Sequence, residues 1–245
     1  MEIRLADENQ MSVSVWRGDE AGSFQSFDVK MEDNQTVLDV VVWIQQYADP
    51  TLSYRYACRV GMCGSCAMMV NGTPRWTCRT HVKKVLVDGH IRIAPLRNLP
   101  VIKDLATDMD PFFEKWVAAE GVHHPTLTRN DPIEPIDPAN AARVEIDAGI
   151  ECINCSVCYA ACDTVAGNPD YLGPAALQRA WSVYNDSKDA DKLAVLDAVS
   201  GVGGCHNCHS QGSCAVHCPN DLNPMNAIAG LKRESARSFF KRRSR

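Results

Sequence analysis

Cysteine is the residue type that carries most of the chemistry in this sequence, with 12 cysteines among 245 residues. That number exceeds what packing requires, and it has two explanations, a disulfide framework or metal ligation. The opening residues MEIRLADENQ contain neither a basic nor an apolar leader segment. We therefore expect no signal peptide and no disulfides, and we interpret the cysteines as metal ligands.

The first cysteine group has the spacing C-x4-C-x2-C, with a fourth cysteine further along the chain. Its members are Cys58, Cys63, Cys66 and Cys78. This is the spacing of plant-type [2Fe–2S] ferredoxins, in which soft, anionic thiolates bind the iron. The small residues Gly61, Gly64 and Ser65 let the loop wrap closely and point backbone N–H groups at the sulfurs. The alternative is a zinc site, but zinc usually takes two separated C-x2-C pairs.

Two further groups lie in the second half of the chain. The first reads C-x2-C-x2-C-x3-C and consists of Cys152, Cys155, Cys158 and Cys162. The second reads C-x5-C-x3-C-P and consists of Cys208, Cys214 and Cys218 before Pro219. In two-cluster ferredoxins the fourth cysteine of such a run ligates the other cluster. With the last ligands exchanged, one set is Cys152, Cys155, Cys158 and Cys218, and the other is Cys162, Cys208 and Cys214.

The second of these sets contains only three thiolates. Gln211 stands where a complete run would have its middle cysteine, and an amide is a poor iron ligand beside thiolates. We therefore predict a [4Fe–4S] cluster for the first set and a [3Fe–4S] cluster for the second. Cys205 is an alternative fourth ligand, although it would approach from the wrong side of the loop. We interpret it as a spare buried thiol.

The first hundred residues have the patterns of a sheet with one helix. Alternating apolar residues predict strands over residues 11–17, 23–31 and 90–94. Asn71-Gly72 is a strong signal for a tight hairpin turn. Thr36 is a suitable N-cap for a helix over residues 37–47. These elements must position the first cysteine group.

The pattern becomes helical from about residue 107. A first helix is predicted over residues 110–119, and residues 125–138, which contain four prolines, predict a loop or ordered arm. We therefore predict an α+β protein with a strand-rich domain over residues 1–106 and an all-α domain over residues 107–245.

The charge of the chain is unevenly distributed. The formal net charge is −5, so no global positive field attracts nucleic acid. The C-terminus is nevertheless basic, with Lys232, Arg233, Arg237, Lys241, Arg242, Arg243 and Arg245 around the single acid Glu234, and with Phe239 and Phe240 among them. Such a tail is either a solvated helix end or a contact for anionic lipid or a membrane-anchor subunit. No apolar run approaches the ~20 residues that span a bilayer.

The chain resembles the iron–sulfur subunits of succinate dehydrogenase and fumarate reductase over essentially its full length. The similar stretches are LSYRYACRVGMCGSCAMMVNG at 52–72, LPVIKDLATDMDPFF at 99–113, ECINCSVCYAAC at 151–162, NPDYLGPAAL at 168–177 and CHSQGSCAVHCPNDLNPMNAI at 208–228. The resemblance implies an N-terminal β-grasp [2Fe–2S] ferredoxin domain followed by an α-helical two-cluster domain. It also implies that electrons pass through the three clusters between FAD on a partner catalytic subunit and a quinone held partly by membrane-anchor subunits.

The resemblance gives conflicting indications about the quinone site. Members that oxidise succinate often have proline and aromatic residues after the ligand that corresponds to Cys162, whereas this chain has DTVAG at 163–167. His209, directly after Cys208, resembles a histidine that lies near quinone in the succinate dehydrogenase members. We expect His209 near a quinone and assign no catalytic residue.

We therefore predict an electron-transfer subunit of a membrane-bound succinate dehydrogenase or fumarate reductase, with the substrate site on a partner flavoprotein. No dinucleotide fingerprint occurs in this chain. The alternatives are a soluble polyferredoxin, an iron–sulfur subunit of a related flavoprotein reductase with a different acid substrate, and a zinc-stabilised interaction protein. The expected location is the cytoplasmic face of a prokaryotic inner membrane, where anchor subunits hold the chain peripherally.

Overall fold

Alternating burial along the first strands builds a sheet with one apolar face. The computed structural model describes residues 9–243, and the chain divides into two units, Met1–Met109 and Asp110–Arg245. The strands of the main sheet in the first unit are β1 (Gln10–Arg17), β2 (Ser23–Lys30), β3 (Ala67–Val70), β4 (Thr73–Trp76) and β5 (His90–Ala94). Their order is β2-β1-β5-β3-β4, in which β1 and β5 are parallel and the other pairs antiparallel. The three predicted strands are confirmed.

A seven-residue helix packs on the apolar face of this sheet. Thr36 caps α1 (Val37–Trp43) through a reciprocal capping box, as its side-chain oxygen and position predict. The prediction of one α-helix over residues 37–47 is wrong in its last turn, because Ile44–Ala48 is π-helical. The helical path ends at Ala48, and Pro50, which has no N–H to donate, follows two residues later.

The core of the first unit joins strands and helices. A second short helix, α2 (Val82–Val85), lies near α1, and a separate ribbon is formed by β6 (Val101–Lys103) and β7 (Ala106–Thr107). The fully buried core residues include Val13, Val15, Val29, Val37, Val40, Val41, Ile44, Ile91 and Ile93. This packing of α1 and α2 against a mixed sheet fixes the frame on which the first cysteine group is held.

A buried carboxylate holds the chain segment that leads to the first cysteine. Asp104 has no exposed side-chain area, and its oxygens accept hydrogen bonds from the Gly18 N–H at 2.7 Å and the Ser53 N–H at 2.8 Å. The Arg17 Nε donates to the same carboxylate at 3.1 Å. Because Ser53 precedes Cys58 by five residues, Asp104 ties the approach to the cysteine loop onto the end of β1.

The second unit is built from helices and short helical turns. The helices are α3 (Asp110–Ala118), α4 (Ala141–Ile146), α5 (Val157–Ala160), α6 (Asp163–Gly167), α7 (Pro174–Asn185), α8 (Lys192–Val199), α9 (Ser213–Val216) and α10 (Pro224–Arg243). Helix α7 is central and packs against α3, α4, α5, α8 and α10. Gly230 of α10 lies so close to Trp181 of α7 that a Cβ there would be 2.6 Å from the indole ring.

The predicted proline-rich segment, residues 125–138, contains no helix or strand and is anchored at its start. Asp189 is 4% exposed, and its carboxylate accepts the His124 N–H at 2.8 Å and pairs with the His123 Nδ1 at 3.2 Å. The segment is therefore ordered at its N-terminal end, the end that follows α3.

The basic C-terminal segment is the last part of α10, which extends to Arg243; Arg245 lies outside the described residues. Glu234 pairs with Arg237 at 2.6 Å, and Asp197 of α8 pairs with Arg242 at 2.9 Å. Within residues 9–243, no helix is both long and apolar enough to span a bilayer.

Candidate iron–sulfur sites

The hairpin β3–β4 brings two cysteines of the first group together. Its two-residue turn, Asn71-Gly72, has positive φ values of 49° and 77°, as the sequence predicts for a tight turn. The resulting register pairs the first residue of β3 with the last residue of β4. Cys66 directly precedes β3 and Cys78 directly follows Thr77, whose hydroxyl donates to the Cys66 carbonyl at 2.7 Å. Both cysteines are buried.

The loop that carries the other two cysteines surrounds their sulfurs with N–H donors. The Cys58 Sγ accepts N–H groups from Val60 at 3.4 Å and from Met62 at 3.2 Å. Arg59 and Gly61 have positive φ values of 60° and 78°, and such residues turn successive N–H groups to one side of the chain. A Cβ at Gly61 would also lie 3.1 Å from the Arg79 side chain. The predicted close wrapping of this loop is confirmed at Gly61.

The surroundings in this site give the thiols of Cys63 and Cys78 different pKa values. Burial opposes ionisation of Cys63, but hydrogen bonds from Ser65 and Cys58 lower the pKa of Cys63 to about 6. Burial, followed by the hydrogen bond and charge of Cys66, raises the pKa of Cys78 to about 12. A thiolate is the form that binds metal. Cys63 therefore ionises more readily than Cys78.

The second and third cysteine groups share one backbone conformation. Asn154 and Ser156 have φ values of 55° and 58°, and the corresponding Ser210 and Gly212 have φ values of 58° and 83°. In each group a one-turn helix, α5 or α9, begins one residue after the second of these left-handed residues. The residue two positions after the first cysteine donates its N–H to that cysteine's sulfur in both groups, at 3.3 Å in Ser210. The two loops are therefore copies of one sulfur-binding turn.

The sulfurs of these groups approach one another across the two runs. The pKa of Cys158 lies well above its ordinary value because of burial and then the neighbouring sulfurs, which are those of Cys155, Cys152, Cys214 and Cys218. Burial, followed by the charges of Cys162 and Cys208, raises the pKa of Cys214 to about 11. Cys218 thus lies near Cys152 and Cys158 of the first run, and Cys162 lies near Cys214 of the second. Cys214 also approaches Cys158, so the two runs lie against each other.

Gln211 and Cys205 are the two residues that decide whether the second cluster of this unit has three or four ligands. Their surroundings differ. Gln211 occupies the position in its loop that Cys155 occupies in the other, and it is exposed. Cys205 is fully buried, with its Sγ 4.0 Å from the Ser235 Oγ of α10. Burial is also the main reason for the raised pKa of the Cys205 thiol.

The structure adds residues that the sequence patterns did not indicate. Tyr171 is 1% exposed, and burial, followed by the charges of Cys208 and Cys162, raises its pKa well above the ordinary value. The Lys232 Nζ donates to the Cys208 carbonyl at 2.6 Å. Neither residue lies within the cysteine runs, so spacing alone could not identify them. His209 is exposed beside Cys208.

These loops have the donor set of iron–sulfur sites. Each offers cysteine sulfurs together with backbone N–H groups that stabilise negative charge on sulfur. Among residues 9–243, no three His, Cys, Asp or Glu side chains are grouped so as to hold one metal ion. A cluster has a different requirement, because its thiolates bind separate irons.

Comparison with known proteins identifies the family. Residues 12–114 match the family described as a 2Fe-2S iron-sulfur cluster binding domain, and residues 151–223 match the 4Fe-4S dicluster domain. A fumarate reductase iron-sulfur subunit from Mycobacterium tuberculosis is 34% identical over 245 residues, which is 97% of each chain. This chain belongs to the iron–sulfur subunits of the fumarate reductase and succinate dehydrogenase family.

Other relatives agree with this membership. A mitochondrial succinate dehydrogenase [ubiquinone] iron-sulfur subunit from Oryza sativa is 33% identical, with 93% of this chain and 82% of that protein covered. A chain of the Mycobacterium smegmatis Sdh1 complex in the apo form has a TM-score of 0.84 at 25% identity, with 95% and 98% of the two chains covered. The predicted fold class, with a [2Fe–2S] domain followed by a helical dicluster domain, is confirmed for this iron–sulfur subunit.

Proposed function

We propose that this iron–sulfur subunit relays single electrons between the FAD of a partner catalytic subunit and a quinone at a membrane. In this proposal Cys58, Cys63, Cys66 and Cys78 hold a [2Fe–2S] cluster, Cys152, Cys155, Cys158 and Cys218 hold a [4Fe–4S] cluster, and Cys162, Cys208 and Cys214 hold a [3Fe–4S] cluster. The clusters supply one-electron redox chemistry when bound. The chain binds them, excludes water and sets their potentials.

The crossed proximity of the last cysteines is the observation that carries this proposal. Cys218 interacts electrostatically with Cys152 and Cys158, and Cys162 interacts with Cys214. Two independent single-metal sites would each be completed within one run, whereas exchange of the last ligand is the arrangement of paired clusters. Paired clusters keep two redox centres close together, as electron transfer through a protein requires.

The end of α10 supports a location at a membrane surface. The basic end of α10, residues 237–243, presents basic side chains together with Phe239 and Phe240, which are 57% and 68% exposed. Each basic residue near an anionic bilayer contributes about 1 kcal/mol, and anionic lipids are enriched on the cytoplasmic side. We therefore propose peripheral attachment at the cytoplasmic face of a prokaryotic inner membrane, with anchor subunits as partners.

The proposed quinone lies at an interface shared with those anchor subunits. His209 is exposed next to Cys208, so it is accessible to a molecule that approaches the three-cysteine set. An imidazole there can donate a hydrogen bond to a quinone oxygen. This accessibility supports the assignment of His209 to the quinone site.

The direct test is reduction of the clusters by the acid substrate. The tagged full chain would be purified anaerobically with its co-purifying subunits, and succinate would be added before EPR. We expect flavin in the complex, a [2Fe–2S] signal after succinate, and reoxidation by a water-soluble quinone. Cys208→Ser should remove the oxidised three-iron signal, whereas the matched variant Cys205→Ser should retain it.

Other results would favour the alternatives. A flavin-containing complex that dithionite reduces and succinate does not would indicate a related reductase with a different acid substrate. A chain that purifies alone, without flavin, yet carries reducible clusters would indicate a soluble polyferredoxin and contradict the proposal.

A further inference from the structure

A row of side chains connects the π-helical turn of the first unit with the loop of the first cysteine group. Gln45 lies in that turn, Ile44–Ala48. Its Nε2 donates to the Leu52 carbonyl at 3.0 Å, and its Oε1 accepts the Tyr54 hydroxyl at 2.9 Å. Leu52 is 1% exposed, and Tyr54 packs against the core of the sheet. Gln45 therefore fixes the phenol ring of Tyr54 to the packed part of the unit, and π-helical turns are frequent at functional sites.

The fixed ring of Tyr54 supports two side chains that lead to the cysteine loop. The rings of Tyr54 and Tyr56 are stacked, with their centroids 5.5 Å apart and their planes at 12°. The guanidinium carbon of Arg59 lies 4.9 Å from the centroid of the Tyr56 ring, which is within the range of a cation–π contact. Gln45, Tyr54 and Tyr56 thus form a supporting row under Arg59.

Arg59 has the backbone conformation that this supporting row stabilises. Its φ of 60° lies in the left-handed region, which costs free energy in a residue other than glycine. Arg59 directly follows Cys58, and the next N–H groups, those of Val60 and Met62, donate to the Cys58 Sγ at 3.4 Å and 3.2 Å. The cation–π contact with Tyr56 offsets part of the cost of the left-handed residue. The row therefore favours the turn that directs these N–H groups to sulfur.

We propose that the supporting row holds Arg59 in its left-handed conformation and thereby raises the reduction potential of the [2Fe–2S] cluster. The members of the row are positioning residues, since they act through the cysteine loop. The inference rests on the proposed function, because it requires Cys58 and the other three cysteines of its group to hold that cluster. One-electron reduction adds one negative charge to the cluster and its sulfurs, so N–H donors stabilise the reduced form more than the oxidised form.

The test is an EPR-monitored redox titration of the assembled complex with Tyr56→Leu, which removes the aromatic face under Arg59. Tyr56 is 40% exposed, so this change should leave the core intact. The equilibrium constant for reduction of the [2Fe–2S] cluster should fall by about threefold, which is about 28 mV for a one-electron couple. The rhombic EPR signal should broaden, because the cysteine loop then adopts several conformations. The potentials of the other clusters in the same sample should not change.

Two matched variants separate the contact with Arg59 from a general loss of aromatic packing. Tyr56→Trp keeps an aromatic face for the guanidinium, so it should retain the [2Fe–2S] potential and line width. Phe24→Leu removes a different cation–π pair of this unit, in which the guanidinium carbon of Arg92 lies 3.8 Å from the Phe24 ring centroid. Phe24 belongs to β2, at the opposite edge of the sheet from the β3–β4 hairpin. This variant should leave the [2Fe–2S] potential unchanged.

An intact [2Fe–2S] signal with an unchanged potential in Tyr56→Leu would overturn the inference, as would an equal fall in either matched variant. If Tyr56→Leu holds no [2Fe–2S] cluster, Tyr54→Phe is titrated instead, because it keeps the stacked ring and removes only the hydroxyl that Gln45 accepts. The potential should again fall, and no change would overturn the inference. Absence of a [2Fe–2S] signal from the unmutated complex would instead contradict the proposed ligand set and this inference with it.

Discussion

At the scale of single residues, the cysteine loops depend on left-handed conformations at residues other than glycine. Arg59, Asn154, Ser156 and Ser210 all have φ values between 55° and 60°. Asn tolerates this region, but Arg and Ser adopt it less often. The sequence predicted the ligand spacing and the role of Gly61, but not these residues. Their conformation follows from how the loop must fold around sulfur rather than from local preference.

Gln211→Cys tests the assignment of the three-iron site. Gln211 has the same place in its turn as Cys155, between residues of matching φ, so a thiolate there would complete a fourth corner. We expect the oxidised three-iron EPR signal to disappear, the iron content to rise by about one per chain, and the terminal potential to fall. If the three-iron signal survived unaltered, the correspondence between the two turns would be wrong.

Asp104 should be important for the stability of the first unit. Asp104→Asn removes the charge that faces Arg17 and one acceptor for the N–H groups of Gly18 and Ser53. We expect the free energy of unfolding to fall by about 1–3 kcal/mol, because a buried N–H donor loses its acceptor, whereas Arg17 keeps its ion pair with Asp49. Chemical unfolding followed by circular dichroism measures this. The matched variant Asp28→Asn, at an exposed position of β2, should change stability little, and equal effects would contradict the account.

The Asp49 carboxylate predicts a dependence of stability on pH. Hydrogen bonds from Thr51 and Arg17 lower the pKa of Asp49 from 3.8 to about 2. A lowered folded-state pKa stabilises the fold above the unfolded-state pKa, and this stabilisation is lost as the pH falls through the folded-state value. The stability difference between wild type and Asp49→Asn should therefore shrink from pH 5 to pH 2 in chemical unfolding experiments. Cluster loss in acid affects both the wild type and Asp49→Asn. A stability difference that stays constant from pH 5 to pH 2 would contradict the assigned pKa shift.

At the scale of elements, local sequence signals predicted the structure correctly where one residue type determines the backbone geometry. The Thr36 cap and the Asn71-Gly72 turn were predicted because hydroxyl capping and positive φ have specific residue preferences. The π-helical turn Ile44–Ala48 was not predicted, because its apolar spacing also fits an α-helix. The Pro125–Pro138 segment was predicted as a loop or ordered arm, but its attachment through Asp189 depends on residues far away in sequence.

The contact of α10 with α7 predicts that Gly230→Ala lowers stability, whereas Gly→Ala in an open helix raises it. In an open helix, Gly→Ala stabilises by about 1 kcal/mol. At Gly230 the new methyl would meet the ring of Trp181, which is 3% exposed and cannot move aside, and overpacking costs about 1–3 kcal/mol. Gly230→Ala should therefore lower the midpoint of anaerobic chemical unfolding.

The matched variant for this contact is Gly167→Ala at the end of α6, where nothing lies within 4 Å of a new Cβ. It should leave the unfolding midpoint unchanged or slightly raised. A stabilising effect of Gly230→Ala would show that α7 and α10 are less tightly packed than their glycine contact indicates.

At the scale of the whole molecule, the sequence predicted two units of different class, because its patterns change from period two to helical near residue 107. The chain divides between Met109 and Asp110. The [2Fe–2S] and [4Fe–4S] domains could be predicted because cysteine spacing reflects the geometry of iron and sulfide, and the three-iron cluster stays a prediction. The contact of Lys232 with the Cys208 carbonyl could not be predicted, because it depends on how α10 packs against the cysteine turns.

The proposed relay requires three clusters of different type in one chain. Low-temperature EPR of the anaerobically purified protein, oxidised and then reduced with dithionite, tests this directly when iron and acid-labile sulfide are counted on the same sample. The three proposed ligand sets predict about nine irons per chain, a near-isotropic three-iron signal after oxidation and a rhombic [2Fe–2S] signal after reduction. About ten irons with no oxidised three-iron signal would contradict them, because a fourth ligand such as Cys205 would then complete the terminal cluster.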